Sequence, residues 1–267
     1  MKRKIGINVD CIKDGFVLEN IKKLGEIGFN GFFINFLQTS YGKCRDIGES
    51  VGMTFEFIHA PFRGINDMWL EGDGYLPLFR QMQHCIDTAS SHAIPVVVLH
   101  LSSGWEPPAP NELGFSRFDK LVEHAKSKGV IVAFENLRNA ENVLAIMERY
   151  KDNDTVRYCY DAGHEHCYTD GFDWIKIFGD KLICVHIHDN TGYDRSIDND
   201  THFLPFDGTV DYADMMRRLD EVGFKGTIML EVFNSTKPEY GDMTPDEFFA
   251  TCAERARRIA DMSCYQG

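Results

Sequence analysis

The chain has 267 residues, of which 43% are hydrophobic and 26% charged, and it carries a net charge of -13 with a pI near 5.2. This composition is typical of a soluble globular protein, and no apolar stretch approaches the roughly 18 residues that a transmembrane helix needs. The acidic charge argues against a general affinity for nucleic acid or for an anionic membrane.

Eight cysteines are spread along the chain, and no two of them form a CxxC pair. Several lie within apolar strand or helix patterns, where a free cysteine behaves as a small hydrophobic residue. The N-terminal segment is basic but lacks the apolar core of a secretory signal. We therefore expect reduced thiols in a cytoplasmic protein with no membrane partner.

Short apolar runs alternate with helical patterns eight times, an order that predicts parallel strands with helical crossovers. The predicted strands are Ile5–Val9, Gly31–Asn35, Thr54–His59, Pro95–His100, Ile131–Glu135, Arg157–Tyr160, Leu182–His188 and Thr227–Val232. The predicted helices are Glu19–Ile27, Lys43–Val51, Leu76–His92, Phe115–Lys128, Glu141–Tyr150, Asp173–Phe178, Tyr212–Val222 and Pro245–Met262. Gly28, Gly129 and Gly223 follow three of these helices and are predicted to end them. The sequence thus predicts an α/β fold, a single (β/α)₈ barrel over residues 1–267.

The longest irregular stretch runs from Asp189 to Asp211. A loop of this length in a compact domain is usually functional or mobile. Because it contains Asp200 and His202, two residue types that bind metals, we expect a functional loop.

Acidic and histidine side chains lie at or near the C-terminal ends of the last six predicted strands. They are His59, His100, Glu135, Asp161 with His164, His188 and Glu231. In a (β/α)₈ barrel the active site forms at this end from several different strands. The pattern therefore predicts one convergent site at the barrel mouth.

Four of these residues, Glu135, Asp161, His188 and Glu231, combine carboxylate oxygens with an imidazole nitrogen. Such a set suits a divalent ion such as Zn, Mn, Mg or Co. The alternative is that each acid is a buried polar group paired with a neighbour. Buried acids are costly unless they are paired or bind a cation, and four together favour the metal site.

A second set of candidate metal ligands consists of His59, His100, Asp200 and His202. Asp200 and His202 are two residues apart in an extended loop, so both side chains can face one centre. His164 follows Asp161 by three residues and can reach the same site. For each histidine taken alone, a hydrogen-bonded core or surface position is the alternative.

His186 and His188 share one strand face because side chains in a strand alternate with a period of two. Since His188 lies nearer the mouth, we predict that it is the ligand and that His186 supports it or lines the barrel.

Aromatic side chains beyond the strand ends could wall a sugar pocket or pack under loops; they are Phe36, Phe62, Trp69 and Trp105. Phe248 and Phe249 could serve a subunit contact in a homo-oligomer or pack internally. The glycines form neither a GxGxxG nor a Walker arrangement, and no GxSxG motif is present.

Seven short motifs, in this order and spacing, resemble the xylose-isomerase-like (β/α)₈ superfamily over nearly the whole chain. They are HAP at His59, LH at His100, EN at Glu135, DxGH at Asp161–His164, HxHDN at His186–Asn190, DxH at Asp200–His202 and LE at Leu230–Glu231. This superfamily contains sugar and sugar-phosphate isomerases and epimerases and the endonuclease IV type of DNA repair enzyme.

The resemblance to ketose 3-epimerases implies a metal held by Glu135, Asp161, His188 and Glu231. It also implies that Glu135 and Glu231 are the catalytic acid/base pair, which moves a proton through a metal-stabilised enediolate of a sugar or sugar phosphate. It further implies that Glu141, His164 and, with a register difference of about one residue, Arg195 bind the substrate. His59, His100 and Trp105 are additional candidates for substrate binding.

The resemblance to endonuclease IV implies a different activity, a zinc phosphodiesterase acting on abasic DNA. Its nine metal ligands have counterparts here in His59, His100, Glu135, Asp161, His164, His188, Asp200, His202 and Glu231. The acidic net charge and the lack of a clear basic stripe argue against a DNA substrate. A barrel that only binds a sugar or a structural metal is a third reading, and the intact pair of Glu135 and Glu231 argues against it.

Overall fold

The computed structural model describes residues 3–36, 38–169 and 171–264, and within them strands and helices alternate along the chain. The strands are β1 Ile5–Asn8, β2 Gly31–Asn35, β3 Thr54–His59, β4 Val96–Leu99, β5 Ile131–Glu135, β6 Val156–Asp161, β7 Leu182–His186 and β8 Ile228–Leu230. The α-helices are α1 Val17–Ile27, α2 Tyr41–Ser50, α3 Leu76–Ser91, α4 Glu112–Lys128, α5 Ala140–Arg149, α6 Ala162–Tyr168, α7 Trp174–Phe178, α8 Tyr212–Glu221, α9 Pro238–Gly241 and α10 Pro245–Ala260. A 3₁₀ helix, Ile65–Trp69, follows β3.

The eight strands are parallel and lie in the order β7-β6-β5-β4-β3-β2-β1-β8. The two end strands meet where Ile187 pairs with Leu230. There the Ile187 N–H donates to the Met229 carbonyl at 2.8 Å, and the Glu231 N–H donates to the Ile187 carbonyl at 3.0 Å. The sheet is therefore a nearly closed barrel, and the predicted (β/α)₈ fold is confirmed.

The barrel interior beneath the mouth is packed with aromatic rings. Phe33 of β2 stacks on Phe57 of β3 with ring centroids 4.6 Å apart, and both rings lie against His186, at 5.0 and 5.4 Å. All three side chains are buried. They form a water-excluding floor on which the polar side chains of the strand ends rest.

Helix ends follow the local chemistry of the sequence. Gly28 and Gly129 directly follow their helices, and Gly223 follows α8 after one intervening residue; the three adopt positive φ angles of 103°, 68° and 72°. Asp161 ends β6 and also caps α6, because its Oδ1 accepts a hydrogen bond from the His164 N–H at 2.6 Å. This cap fixes the turn by which His164 reaches the barrel mouth.

Three helical segments were not predicted, and several strand and helix ends lie one or a few residues from their predicted positions. The helix Ala162–Tyr168, the helix Pro238–Gly241 and the 3₁₀ helix Ile65–Trp69 were not predicted, because such short segments give no clear helical periodicity. β7 ends at His186 rather than His188, and beyond it only Ile187 pairs with the neighbouring strand β8.

Three aromatic residues whose role the sequence left open, Trp69, Phe248 and Phe249, are buried. Phe248 and Phe249 are both 0% exposed within α10, so packing is their role and a subunit contact through them is ruled out. Trp69 is also buried, and its indole N–H donates to the Leu101 carbonyl at 2.7 Å.

The structure also bears on the cysteines and on membrane association. None of the eight cysteines is in a disulfide, and all except Cys264 are buried. Among the helices of the described residues, none combines the length and the apolar character that crossing a bilayer requires.

Candidate metal centre

Ten acidic and histidine side chains converge at the C-terminal end of the barrel. They comprise the nine predicted ligands and His186: His59, His100, Glu135, Asp161, His164, His186, His188, Asp200, His202 and Glu231. They come from the ends of β3 to β8, from α6 and from the loop between β7 and α8. Their possible donor atoms fall into groups in which all atoms lie within 4.8 Å of one another.

The central group consists of Glu135, Asp161, His186 and Glu231. His186 Nδ1 lies 2.7 Å from Glu135 Oε1, 3.4 Å from Glu231 Oε2 and 3.8 Å from Asp161 Oδ2. All four side chains are buried. Three carboxylates and one imidazole thus surround a single point, as a divalent cation requires.

The imidazole among these three carboxylates is His186, whereas the sequence pointed to His188. Both side chains enter the barrel, but His186 ends β7 at the level of Glu135, which ends β5. His188 lies two residues further along the chain, beyond the end of β7, and belongs to a different group. It remains near the central group through Asp161, whose Oδ1 is 3.2 Å from His188 Nε2.

The loop group consists of His164, His188, Asp200 and His202. Asp200 Oδ1 lies 3.3 Å from His202 Nε2 and 3.5 Å from His188 Nε2, and Asp200 Oδ2 lies 3.3 Å from His164 Nε2. The rings of His188 and His202 stack at 3.9 Å. His202 has a φ of 46°, a left-handed conformation that is uncommon outside glycine and that often occurs at functional sites.

The third group, which we call the β3–β4 group, consists of His59, His100 and Glu135. Glu135 Oε2 lies 2.9 Å from His100 Nε2 and 3.3 Å from His59 Nε2. Because Glu135 Oε1 faces His186, the same carboxylate belongs to this group and to the central group. Glu135 would therefore be a ligand in both groups if each held a cation.

Backbone carbonyls orient three of the histidines. The Nδ1 atoms of His59, His164 and His202 pair with the carbonyl oxygens of Ala60, Asn136 and Glu231, at 2.9, 2.9 and 3.0 Å. Since an Nδ1–H must donate in each pair, the Nε2 atom of each ring faces the site. Metal-binding histidines are commonly held in this way.

Several buried polar atoms of the site make no hydrogen bond within the described part of the chain: Asp161 Oδ2, Asp200 Oδ1, His186 Nε2 and both ring nitrogens of His188. His188 Nε2 is close to Asp161 Oδ1, but the two atoms are poorly aligned for a hydrogen bond. A buried polar atom without a partner costs free energy, roughly 1–3 kcal/mol. Each of these atoms can bind a metal ion, and a mixed set of carboxylates and imidazoles suits a divalent cation.

The charges of the site are strongly coupled. Burial disfavours the imidazolium form of His186 and His202, but neighbouring carboxylates outweigh burial and raise the pKa of each to about 10. Burial likewise opposes the charge of Glu135, yet the imidazoles of His186 and His100 hold the pKa of this carboxyl well below its usual range. Binding of a cation by these residues would therefore release protons.

Asn136, which directly follows Glu135, ties β5 to β6 at the mouth. Its Oδ1 accepts hydrogen bonds from the Asp161 N–H and the Tyr158 hydroxyl, both at 2.8 Å, and its Nδ2 donates to the Asp161 carbonyl at 2.8 Å. Sequence reasoning gave this residue no role, although it is the second letter of the EN motif.

Asp189 and Asn190 organise the loop that carries Asp200 and His202. Asp189 accepts hydrogen bonds from three loop N–H groups, those of Asn190, Phe206 and Val210, at 2.9, 2.8 and 3.1 Å. Asn190 Nδ2 donates to the Gly163 carbonyl at 2.8 Å and links the loop to α6. The irregular stretch predicted here is thus present, and it is held by side chains at its start.

The end of β1 adds polar residues that the sequence analysis missed. Asn35 Nδ2 donates to Asp10 Oδ2 at 2.8 Å, while Asp10 Oδ1 and Asn8 Nδ2 are buried with no partner among the described residues. Burial raises the pKa of Asp10, and Glu231 adds to this. The available signal was the polar pair Asn8 and Asp10 directly after an apolar run, the same pattern as at the other strand ends.

The predicted substrate residues fall in three places. His59, His100 and His164 lie within the ligand groups described above. Trp105 and Arg195 lie together above the mouth, with the guanidinium 5.1 Å from the indole centroid. Glu141 is exposed in the first turn of α5 and takes no part in the three groups.

Residues 21–261 match the family model of the xylose isomerase-like TIM barrel, and the chain belongs to this family. The family resemblance predicted from the motifs is confirmed.

Three relatives are similar in sequence. The uncharacterized protein y4fM of Sinorhizobium fredii is 31% identical over 163 residues, 56% of this chain and 51% of that protein. The uncharacterized protein MJ1311 of Methanocaldococcus jannaschii is 24% identical over 248 residues, 85% and 83% of the two chains. An inosose isomerase of Bacillus velezensis is 24% identical over 148 residues, 52% of each. The match thus spans about half the length of y4fM and of the inosose isomerase.

Solved structures show the same barrel. A xylose isomerase domain protein from Planctomyces limnophilus has a TM-score of 0.75 at 16% identity, and a D-tagatose 3-epimerase-like protein has 0.70 at 20%, with 98% of both chains covered in each case. An L-ribulose 3-epimerase has 0.70 at 18% identity, with 100% of both chains covered. At these identities the likeness establishes the fold alone.

A glycine behind His188 provides a test of the loop group. A Cβ on Gly163 would lie 1.9 Å from His188 Cε1, so Gly163→Ala must displace this imidazole. We expect a loss of stability of about 1–3 kcal/mol and at least a tenfold weaker zinc affinity of the loop group. Thermal unfolding and zinc titration measure both effects.

Gly42→Ala is the matched control, since a Cβ there meets its nearest neighbour, His92 Nδ1, at an ordinary 3.5 Å. Wild-type zinc affinity in Gly163→Ala would show that His188 does not bind the ion.

Proposed function

We propose that this protein is a divalent-metal-dependent isomerase or epimerase acting on a sugar or sugar phosphate. The observation that carries the proposal is the central group: three carboxylates and His186 meet at the barrel mouth, with Glu135 and Glu231 on two different strands. The inosose isomerase and the L-ribulose 3-epimerase among the similar proteins support this class of reaction.

Glu135, Asp161, His186 and Glu231 would hold the ion, with Zn, Mn, Mg or Co as candidates. When bound, such an ion polarises a substrate carbonyl and acidifies the neighbouring C–H bond. The remaining chemistry is the movement of a proton, and the two glutamates are the groups placed to perform it.

Glu231 is the better candidate for removing the proton. Its Oε2 approaches His186 Nδ1 only to 3.4 Å, and its side chain remains 8% exposed at the end of β8. Glu135 is 0% exposed and lies close to four imidazoles, which makes it a weaker proton acceptor. In this scheme Glu231 takes the proton from the substrate carbon, and one of the two glutamates returns a proton to another face or position.

The site is shaped for a small polar molecule. Asp10 is near enough to Glu231 to interact with its charge. Its unpartnered Oδ1 could accept a hydrogen bond from a substrate hydroxyl. Phe62 stacks on His100 with ring centroids 4.1 Å apart and forms an apolar wall above the ligands.

We place the protein in the cytoplasm, in agreement with cysteines that form no disulfide.

A second candidate is a phosphodiesterase of the endonuclease IV kind. The observation that favours it is that the loop group and the β3–β4 group lie beside the central group, so that three ions could bind together. Clustered ions of this kind activate water and stabilise a leaving oxygen. The net charge of -13 opposes a DNA substrate. Cleavage of an abasic-site duplex that is lost on chelation would establish this activity, and intact duplex would exclude it.

The sugar-directed activity depends on the Glu231 carboxylate. We expect Glu231→Gln to lower turnover by 10²-fold or more, because a general base contributes roughly 10²–10⁴-fold, while the barrel stays folded. Uptake of solvent deuterium into a panel of ketoses and aldoses, followed by NMR, measures turnover, and circular dichroism monitors the fold.

Glu239→Gln, at an exposed position in α9, is the control and should retain full activity. Full deuterium uptake by Glu231→Gln would contradict the assignment of Glu231 as the base.

A further inference from the structure

A pocket opens directly beside the ligand groups and extends their site toward β4 and β5. Its lining includes the candidate ligands His100, His164 and Asp200. The lining also includes Ser102, which follows β4, and Arg138, which follows β5. A molecule in this pocket would therefore meet both candidate metal ligands and hydrogen-bond donors.

Two of these donors have no partner among the described residues. Ser102 is 2% exposed, and its Oγ makes no hydrogen bond. The Nε of Arg138 is likewise buried and unpaired. Buried donors of this kind are costly unless a ligand satisfies them, and here both line the same pocket.

The guanidinium of Arg138 is held in place by its other edge. Its Nη2 donates to the Tyr168 hydroxyl at 2.6 Å and to Asp198 Oδ1, and it lies 4.5 Å from the Tyr168 ring centroid. The Asp198 side chain is 73% exposed, so solvent screens its charge, whereas the Arg138 side chain is only 22% exposed. The Nε–H therefore remains available as a single donor at a fixed position.

We infer that Arg138 and Ser102 bind an anionic group at the far end of the substrate, either a phosphate ester or a carboxylate. The guanidinium offers a positive charge and the fixed Nε–H donor, which either group can accept, and the serine hydroxyl is a second donor that lines the same pocket. That the other end of the same molecule is the carbonyl that reacts rests on the proposed function. The substrate would then be a sugar phosphate or a sugar acid rather than a neutral sugar.

The test compares three ligands of equal chain length: a ketopentose, its 5-phosphate and the corresponding sugar acid. Their dissociation constants are measured by calorimetry on zinc-loaded protein. We expect one anionic ligand to bind at least tenfold more tightly than the neutral sugar. In Arg138→Met this preference should be lost, and in Ser102→Ala it should fall several-fold.

Two further variants complete the design. Arg138→Lys keeps the charge without the fixed Nε–H donor and should retain part of the preference. Arg157→Met is the matched control, because Arg157 lies near the start of β6, away from the mouth, where it donates to the Val156 carbonyl and pairs with the exposed Asp154. It should bind all three ligands as the wild type does.

Each outcome decides a separate point. Preference for the 5-phosphate identifies a phosphate ester, and preference for the sugar acid identifies a carboxylate. Equal binding of the three ligands, or a preference that survives Arg138→Met, overturns the inference.

Deuterium uptake, measured on the same samples, separates this inference from the proposed function. Arg138-dependent binding without any deuterium uptake would support the anion site and contradict the isomerase or epimerase. Deuterium uptake into neutral sugars that is unchanged in Arg138→Met would support the isomerase or epimerase and contradict the anion site.

Discussion

The barrel mouth depends on one buried carboxylate, that of Glu135. In the part of the chain that the structure describes, its ion-pair partners are imidazoles alone, including His186, His100 and His59. Removing a carboxylate from water costs several kcal/mol unless opposite charge surrounds it. The histidines at the ends of β3, β4 and β7 must therefore lie next to Glu135 at the end of β5. This requirement brings the strand ends that carry the site together at the barrel mouth.

The barrel itself supplies the precision of that arrangement. The sheet closes where Ile187, which directly follows His186, pairs with Leu230, which directly precedes Glu231. Closure of the sheet therefore sets the spacing of the His186 and Glu231 side chains. Beneath them, Phe33 and Phe57 fill the interior against His186 and keep it from moving downward. Above them, Asp189 holds the loop that brings Asp200 and His202 over the mouth.

Much of this could be read from the sequence, because the strands are apolar runs and the functional residues follow them directly. The choice between His186 and His188 could not, since both share one face and only the depth at which β7 ends distinguishes them. The hydrogen bonds of Asn136 and Asp189 were also beyond sequence reasoning, because their partners are backbone groups that become neighbours only after folding. By contrast, the burial of Phe248 follows from the helical apolar stripe that it shares with Cys252 and Ala256.

The most direct test of this account is the metal content of purified protein, measured by elemental mass spectrometry after loading with zinc or manganese. We expect at least one tightly bound ion per chain. That ion should be lost in His186→Asn and retained in His188→Asn, because only His186 belongs to the central group. Protein that binds no ion, or a His186→Asn variant that keeps the full content at wild-type affinity, would contradict the central claim.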